Sequence, residues 1–301
     1  MNLQLPTLWV ASWSLLFGAG ALAPLLGRST SGEAARGRAT NIAILCALLG
    51  SVAGVIGALA ALIDPGLWST TITLHSFLGS VWSRGYLPEV SLQIKVDPLS
   101  AVFALLIAAF AAIVAVYSFD ALRAPYYRRQ RTWIAGAFNV FIWATLLVVV
   151  VNDLFFLIVA LEVMTLAFAG LTLYKHDFYQ EPQPPGHEPG PEELKDARLA
   201  PQVYLGVSHV STAFLLLAIL LLVGKAKSFS YDDIPRLAPM TANLVFLLAL
   251  AGLGIRAGLT PAHFWVPLVH PCSPTTTHAF FWSRRCGGAT WSFSWACLQP
   301  S

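Results

Sequence analysis

Seven stretches of this chain stay apolar for roughly the 20 residues that a helix needs to cross a hydrocarbon layer. They cover residues 7–27, 41–63, 98–119, 133–151, 153–174, 202–224 and 242–269. A backbone in lipid must satisfy its hydrogen bonds within itself, so such runs fold as spanning helices. A membrane β-barrel would show shorter segments of alternating polarity. Only 11% of the residues are charged, where a soluble domain carries about 25%. The expected fold is an all-α polytopic membrane protein of seven transmembrane helices, one helical domain over residues 1–279.

Charge placement orients it. The first basic residue, Arg28, follows the first apolar run, whereas a cleavable secretion signal carries its basic residues ahead of the run. The first run therefore reads as a span with the N-terminus outside. On that assignment the inner loops hold Arg28, Arg36, Arg38, Arg123, Arg128, Arg129, Arg131, Lys175, Lys195 and Arg198. The outer loops hold Arg84, Lys95, Lys225, Lys227 and Arg236. The excess on one side follows the positive-inside rule. The net charge of +3 thus reflects topology, and a nucleic-acid partner is not expected. The basic stretch "RAPYYRRQRTW", residues 123–133, reads as an anchor among anionic headgroups.

The connections carry few signals. "SLQIKVD", ending at Asp97, partly alternates and predicts a short strand on the outer surface. Asp97 followed by Pro98 reads as a helix cap and first helical residue. Prolines and glycines crowd residues 176–201, which predict a cytoplasmic loop carrying His176 and His187. The cysteines Cys46, Cys272, Cys286 and Cys297 form no CxxC, so neither a metal site nor a disulfide framework is expected. No nucleophile–base spacing suggests bond chemistry by the chain itself.

Ionisable residues at membrane depth are costly and point to function. Glu162 lies nine residues beyond Asp153, roughly 13 Å into its helix and near the middle of the layer. Arg256 sits roughly 20 Å along the last apolar run by the same rise. That run is long for one span, and Pro261 and Pro267 predict a broken helix in it. Irregular backbone survives at this depth only when it is buried in protein or lines a wet cavity. Arg256, His263 and His270 are therefore expected along a polar path. His209, seven residues into the sixth run with Ser208, Ser211 and Thr212 beside it, can titrate near neutral pH and suits a proton relay.

These residues carry a resemblance. "VDPLS" (96–100), "DLFFLIVALEVMTL" (153–166), "YLGVSHVSTAFLLLAILLL" (204–222) and "GLGIRAGLTPAHFWVPLVHPCSPT" (252–275) resemble the antiporter-like membrane subunits of respiratory complex I, multisubunit sodium/proton antiporters and membrane-bound hydrogenases. The long loop before the sixth helix and "SHVSTA" point to the hydrogenase-4 component B or formate hydrogenlyase branch. The resemblance covers about residues 90–279 and implies the first repeat of an antiporter-like fold. It also implies a bacterial-type inner membrane location and a proton-translocating role in a redox-driven complex. Glu162 would pair there with a cation on the broken helix. Iron–sulfur clusters, NiFe or quinone would sit in partner subunits, with no cofactor in this chain. The alternatives are a cation/proton antiporter subunit without redox coupling, or a nonfunctional fragment.

Two features depart from the family. Arg256 stands where the family carries lysine, and arginine does not release its proton in a protein. It can stabilise Glu162 but cannot be a hopping site. Residues 280–301 contain no span where the family begins an eighth helix, which suggests a truncated or frameshifted reading.

Overall fold

The structure, a computed structural model, describes residues 5–28, 32–68, 72–74, 92–123, 127, 129–179, 190–226 and 228–274. Arg84, Arg128, His187, Lys227, Cys286, Cys297 and the segment 280–301 lie outside the described residues.

Seven helices among the described residues are long and apolar enough to span a membrane. They are α1 (Leu5–Arg28), α2 (Glu33–Ile63), α3 (Pro98–Ala121), α4 (Arg131–Val150), α5 (Leu154–Tyr179), α6 (Pro191–Ala226) and α7 (Pro239–Ala257), the last continued past a break by α8 (Trp265–Val269). The number and order match the sequence reading. Asp97 caps α3 as expected, its carboxylate accepting from Ser100 N at 2.7 Å.

The loop expected over 176–201 is shorter than the prolines suggested. α5 continues to Tyr179 and α6 begins at Pro191. Proline opens a helix readily because its missing N–H has no partner in the first turn anyway. Glu192 and Glu193 then place negative charge at the positive end of the helix. Glu193 also reaches back to accept from Gly190 N at 3.3 Å, as in a capping box. Pro201 lies inside α6 without ending it.

α4 is the central helix, largely buried and packed against α1, α2, α3 and α5. α7 is peripheral, mostly exposed, with α6 as its principal neighbour. Small residues allow the closest approaches between helices. Gly57 of α2 lies under the Trp9 ring of α1, and that indole donates to Ala53 O at 2.9 Å.

At one end of the bundle, the end expected to face outward, three connections form a ribbon. The expected strand appears as β2 (Leu92–Ile94), antiparallel to β1 (Ile72–Leu74). Ile94 also bridges to Val151, and Asp153 bridges to Ser230. Side chains reinforce it. Ser230 Oγ donates to Gln93 Oε1 at 2.8 Å, Asn152 Nδ2 donates to Asp232 Oδ2 at 2.9 Å, and Lys95 pairs with Asp232 at 2.6 Å.

Asp153 is buried in this ribbon and accepts from Phe156 N at 2.9 Å at the start of α5. Burial pushes its carboxyl above the ordinary carboxylate value, outweighing the Phe156 and Phe155 N–H groups that pull it down. Burial and the nearby Asp153 push the Tyr231 hydroxyl up to about 12. For Asp153 the folded state binds its proton more tightly than the unfolded chain does. Its ionised form therefore weakens the fold at neutral pH, and this penalty fades as pH falls through the raised value. Asp153→Asn keeps a capping oxygen. It is expected to hold or raise the neutral-pH thermal midpoint and to remove the Asp153 share of the rise on acidification, read by scans between pH 7 and pH 4.

Candidate functional site

Glu162, on the middle turns of α5, meets α6 and α7 in one constellation. Its Oε1 accepts from Thr212 Oγ1 at 2.5 Å and lies 3.7 Å from Arg256 Nη2, while Oε2 lies 3.6 Å from His209 Nε2. The Arg256 side chain is 12% exposed and that of Glu162 26%. This is an interior ion pair with an opening toward His209, which is 58% exposed.

Arg256 occupies the last turn of α7 and spreads its planar fork over both neighbouring helices. Nη1 donates to Thr165 Oγ1 at 2.7 Å and Leu161 O at 3.3 Å on α5. Nη2 donates to Thr212 Oγ1 at 2.8 Å and Nε to Ser211 Oγ at 3.4 Å on α6. Each hydroxyl has one proton, and each spends it elsewhere. Thr212 donates to Glu162, Thr165 to Leu161 O at 2.8 Å and Ser211 to Gly252 O at 2.7 Å. All three thus turn lone pairs toward Arg256. The pocket is built around a group that stays protonated.

His209 has a fixed tautomer. Its Nδ1 lies 2.7 Å from Leu205 O. A carbonyl only accepts, so Nδ1 carries the hydrogen, an assignment made from the hydrogen-bond network. Nε2, the atom facing Glu162, is therefore the ring nitrogen without a hydrogen in the neutral imidazole.

Gly252 makes the α6–α7 approach possible. A Cβ there would sit 2.7 Å from Leu215 Cγ and 2.9 Å from Ser211 O. Arg256 follows four residues later on the same face.

The break begins earlier than the prolines predicted. α7 stops at Gly258, which adopts φ 67°, a left-handed C-cap conformation that glycine accepts without a Cβ penalty. Pro261, after a cis Thr260–Pro261 bond, precedes a 3-10 turn over Ala262–Phe264. Pro267 lies inside α8. It is the third residue of that short helix, where no N–H is required, so it breaks nothing.

The expected cluster is therefore assembled in part. Glu162, Arg256 and His209 meet. His263 and His270 lie on 3-10 turns beyond the break, and among the described residues Glu162 pairs with neither. His263 Nδ1 is buried without a hydrogen-bond partner there. Sequence reasoning missed Thr165, three residues beyond Glu162 on the same face of α5. That spacing was the available signal. No group of three metal-ligating side chains occurs among the described residues.

Comparison with known proteins shows what the chain is similar to. Residues 193–287 match the model of the NADH:quinone oxidoreductase/Mrp antiporter transmembrane family. Hydrogenase-4 component B of Escherichia coli (strain K12) is 28% identical over 191 residues, which are 62% of this chain and 26% of the relative. Formate hydrogenlyase subunit 3 of the same organism is 24% identical over 239 residues, 78% of this chain and 34% of the relative. The chain thus spans about a quarter to a third of these relatives' length. The Mrp complex structure from Dietzia sp. DQ12-45-1b shares the fold at a TM-score of 0.65 and 17% identity, covering 93% of this chain and 46% of that one. The chain is an antiporter-like, multi-pass membrane protein, related through its sixth helix and the broken seventh to the NADH:quinone oxidoreductase/Mrp antiporter family.

Proposed function

We propose that this chain carries protons as a membrane subunit of a redox-driven complex of the hydrogenase-4, formate hydrogenlyase or NADH:quinone type. The observation that carries the proposal is Glu162 held between a permanent cation and Nε2 of His209. Arg256 places a permanent positive charge 3.7 Å from the Glu162 carboxyl. His209 Nε2 offers the proton an alternative seat 3.6 Å away. A change of charge in a neighbouring subunit would shift the proton between the two. The relatives named as hydrogenase and hydrogenlyase components support the redox assignment.

In this reading the membrane is the inner membrane of a bacterial-type cell. The redox groups, iron–sulfur clusters with NiFe or quinone, belong to partner subunits, and this chain supplies only the proton path. His263 and His270 would serve as later stations on the inner side of the break.

The test is proton uptake by inverted vesicles containing the assembled complex, followed with a pH-sensitive dye after reductant is added. Glu162→Gln keeps the size and the Thr212 hydrogen bond but removes the proton site. Uptake per electron is expected to fall by about a hundredfold, the order that a positioned proton-transfer group contributes. Unchanged uptake would remove Glu162 from the path. Uptake driven by a sodium gradient without reductant would favour cation/proton exchange instead.

A further inference from the structure

The break in the seventh helix is clasped from its far side. Where α7 ends, its last carbonyls lose their helical partners. Gly254 O and Ile255 O accept from the backbone of Leu259 and Gly258 at 2.9 and 3.1 Å. Ile255 O also receives a second donor: Trp265 Nε1, from the first residue of α8, at 3.1 Å. Ile255 precedes Arg256 directly, so this bond grips the backbone that carries the guanidinium.

The indole is itself fixed. Its ring lies 5.5 Å from that of Tyr204 on α6, and Tyr204 lies 4.8 Å from Phe168 on α5. Tyr204 is buried between these two rings. The far end of the broken segment is tethered as well, by Lys175 Nζ of α5 donating to Pro271 O at 3.1 Å. α8 is thereby seated on the two helices that carry Glu162 and His209.

We propose that Trp265 is a positioning residue for the ion pair: its N–H holds the final turn of α7 so that Arg256 reaches Glu162. An arginine in a last turn has a long, rotamer-rich side chain. Its fork meets four acceptors on two helices only if the backbone that bears it is held still. The importance of the pair rests on the proton-carrying reading; the positioning itself does not.

The test is rotational-echo solid-state NMR on the full chain in lipid bilayers, with 15N-arginine and 13C-glutamate labels. The Arg256–Glu162 coupling is identified as the signal that Glu162→Gln deletes. Trp265→Phe keeps a ring and removes the N–H donor, and it is expected to lose that coupling. Trp265→His, which retains a ring N–H, is expected to recover it. Trp265→Leu is a second donor-free variant, and either is read only if circular dichroism shows wild-type helix content. Retention of the coupling in a folded donor-free variant overturns the proposal. So does failure of both donor-free variants to insert, which would make Trp265 a folding residue. Because the distance is measured without transport, unchanged pumping in Glu162→Gln would remove the proton-carrying reading and leave this one standing.

Discussion

Arg256→Gln is expected to cost the fold about 3 kcal/mol, the order found when one partner of a buried ion pair is removed. The loss has two parts. Glu162 would keep Thr212 and His209 but lose its formal counter-charge. Thr165, Thr212 and Ser211 would turn lone pairs toward a side chain with fewer donors. Arg256→Lys keeps the charge but replaces the fork with a point donor that cannot serve α5 and α6 together. It should cost clearly less than glutamine. The measurement is the unfolding midpoint in a mixed-detergent titration, followed by circular dichroism. Equal midpoints for the two variants would show that the charge contributes nothing.

Gly252→Val should be comparably damaging for a steric reason. The first added carbon would lie 2.9 Å from Ser211 O, a backbone atom, and 2.7 Å from Leu215 Cγ. A side chain can rotate away, but a backbone carbonyl yields only if its helix moves. α7 would be displaced from α6, losing the Ser211–Gly252 bond and drawing Arg256 back from its acceptors. Overpacking of this kind costs about 1–3 kcal/mol, and the lost polar contacts add to it. Gly206→Val is the control, because a Cβ at Gly206 meets nothing within 4 Å. The same titration should place Gly252→Val well below the control, and equal midpoints would contradict the tight α6–α7 contact.

The spans and the charged pair were legible in the sequence for one reason. Charge in an apolar run is expensive, so Glu162 and Arg256 stand out wherever the run is read. The hydroxyls around them were not legible to the same degree. Serine and threonine cost little in a membrane helix and are common there, so Thr165 carries no signal until Glu162 supplies the face. Prolines misled twice because their effect depends on position. Pro191 opens α6 and Pro267 sits in the first turn of α8, both places where no N–H is needed. The real stop, Gly258, is marked by backbone conformation and not by a missing donor. His263 and His270 were grouped with Arg256 by nearness in sequence. The chain instead ends α7 at Gly258 and places both on short 3-10 turns, and no ion pair joins either to Glu162 among the described residues.

The outer ribbon has a consequence for the order of assembly. Its hydrogen bonds join residues 137 and 80 positions apart, and contacts this distant in sequence form late. Gln93 and Asn152 are synthesised long before Ser230 and Asp232 arrive. The ribbon can therefore close only once α6 is in place and its end lies beside Gln93 and Asn152. A nascent chain arrested just before Ser230 would hold the first six helices with this latch open.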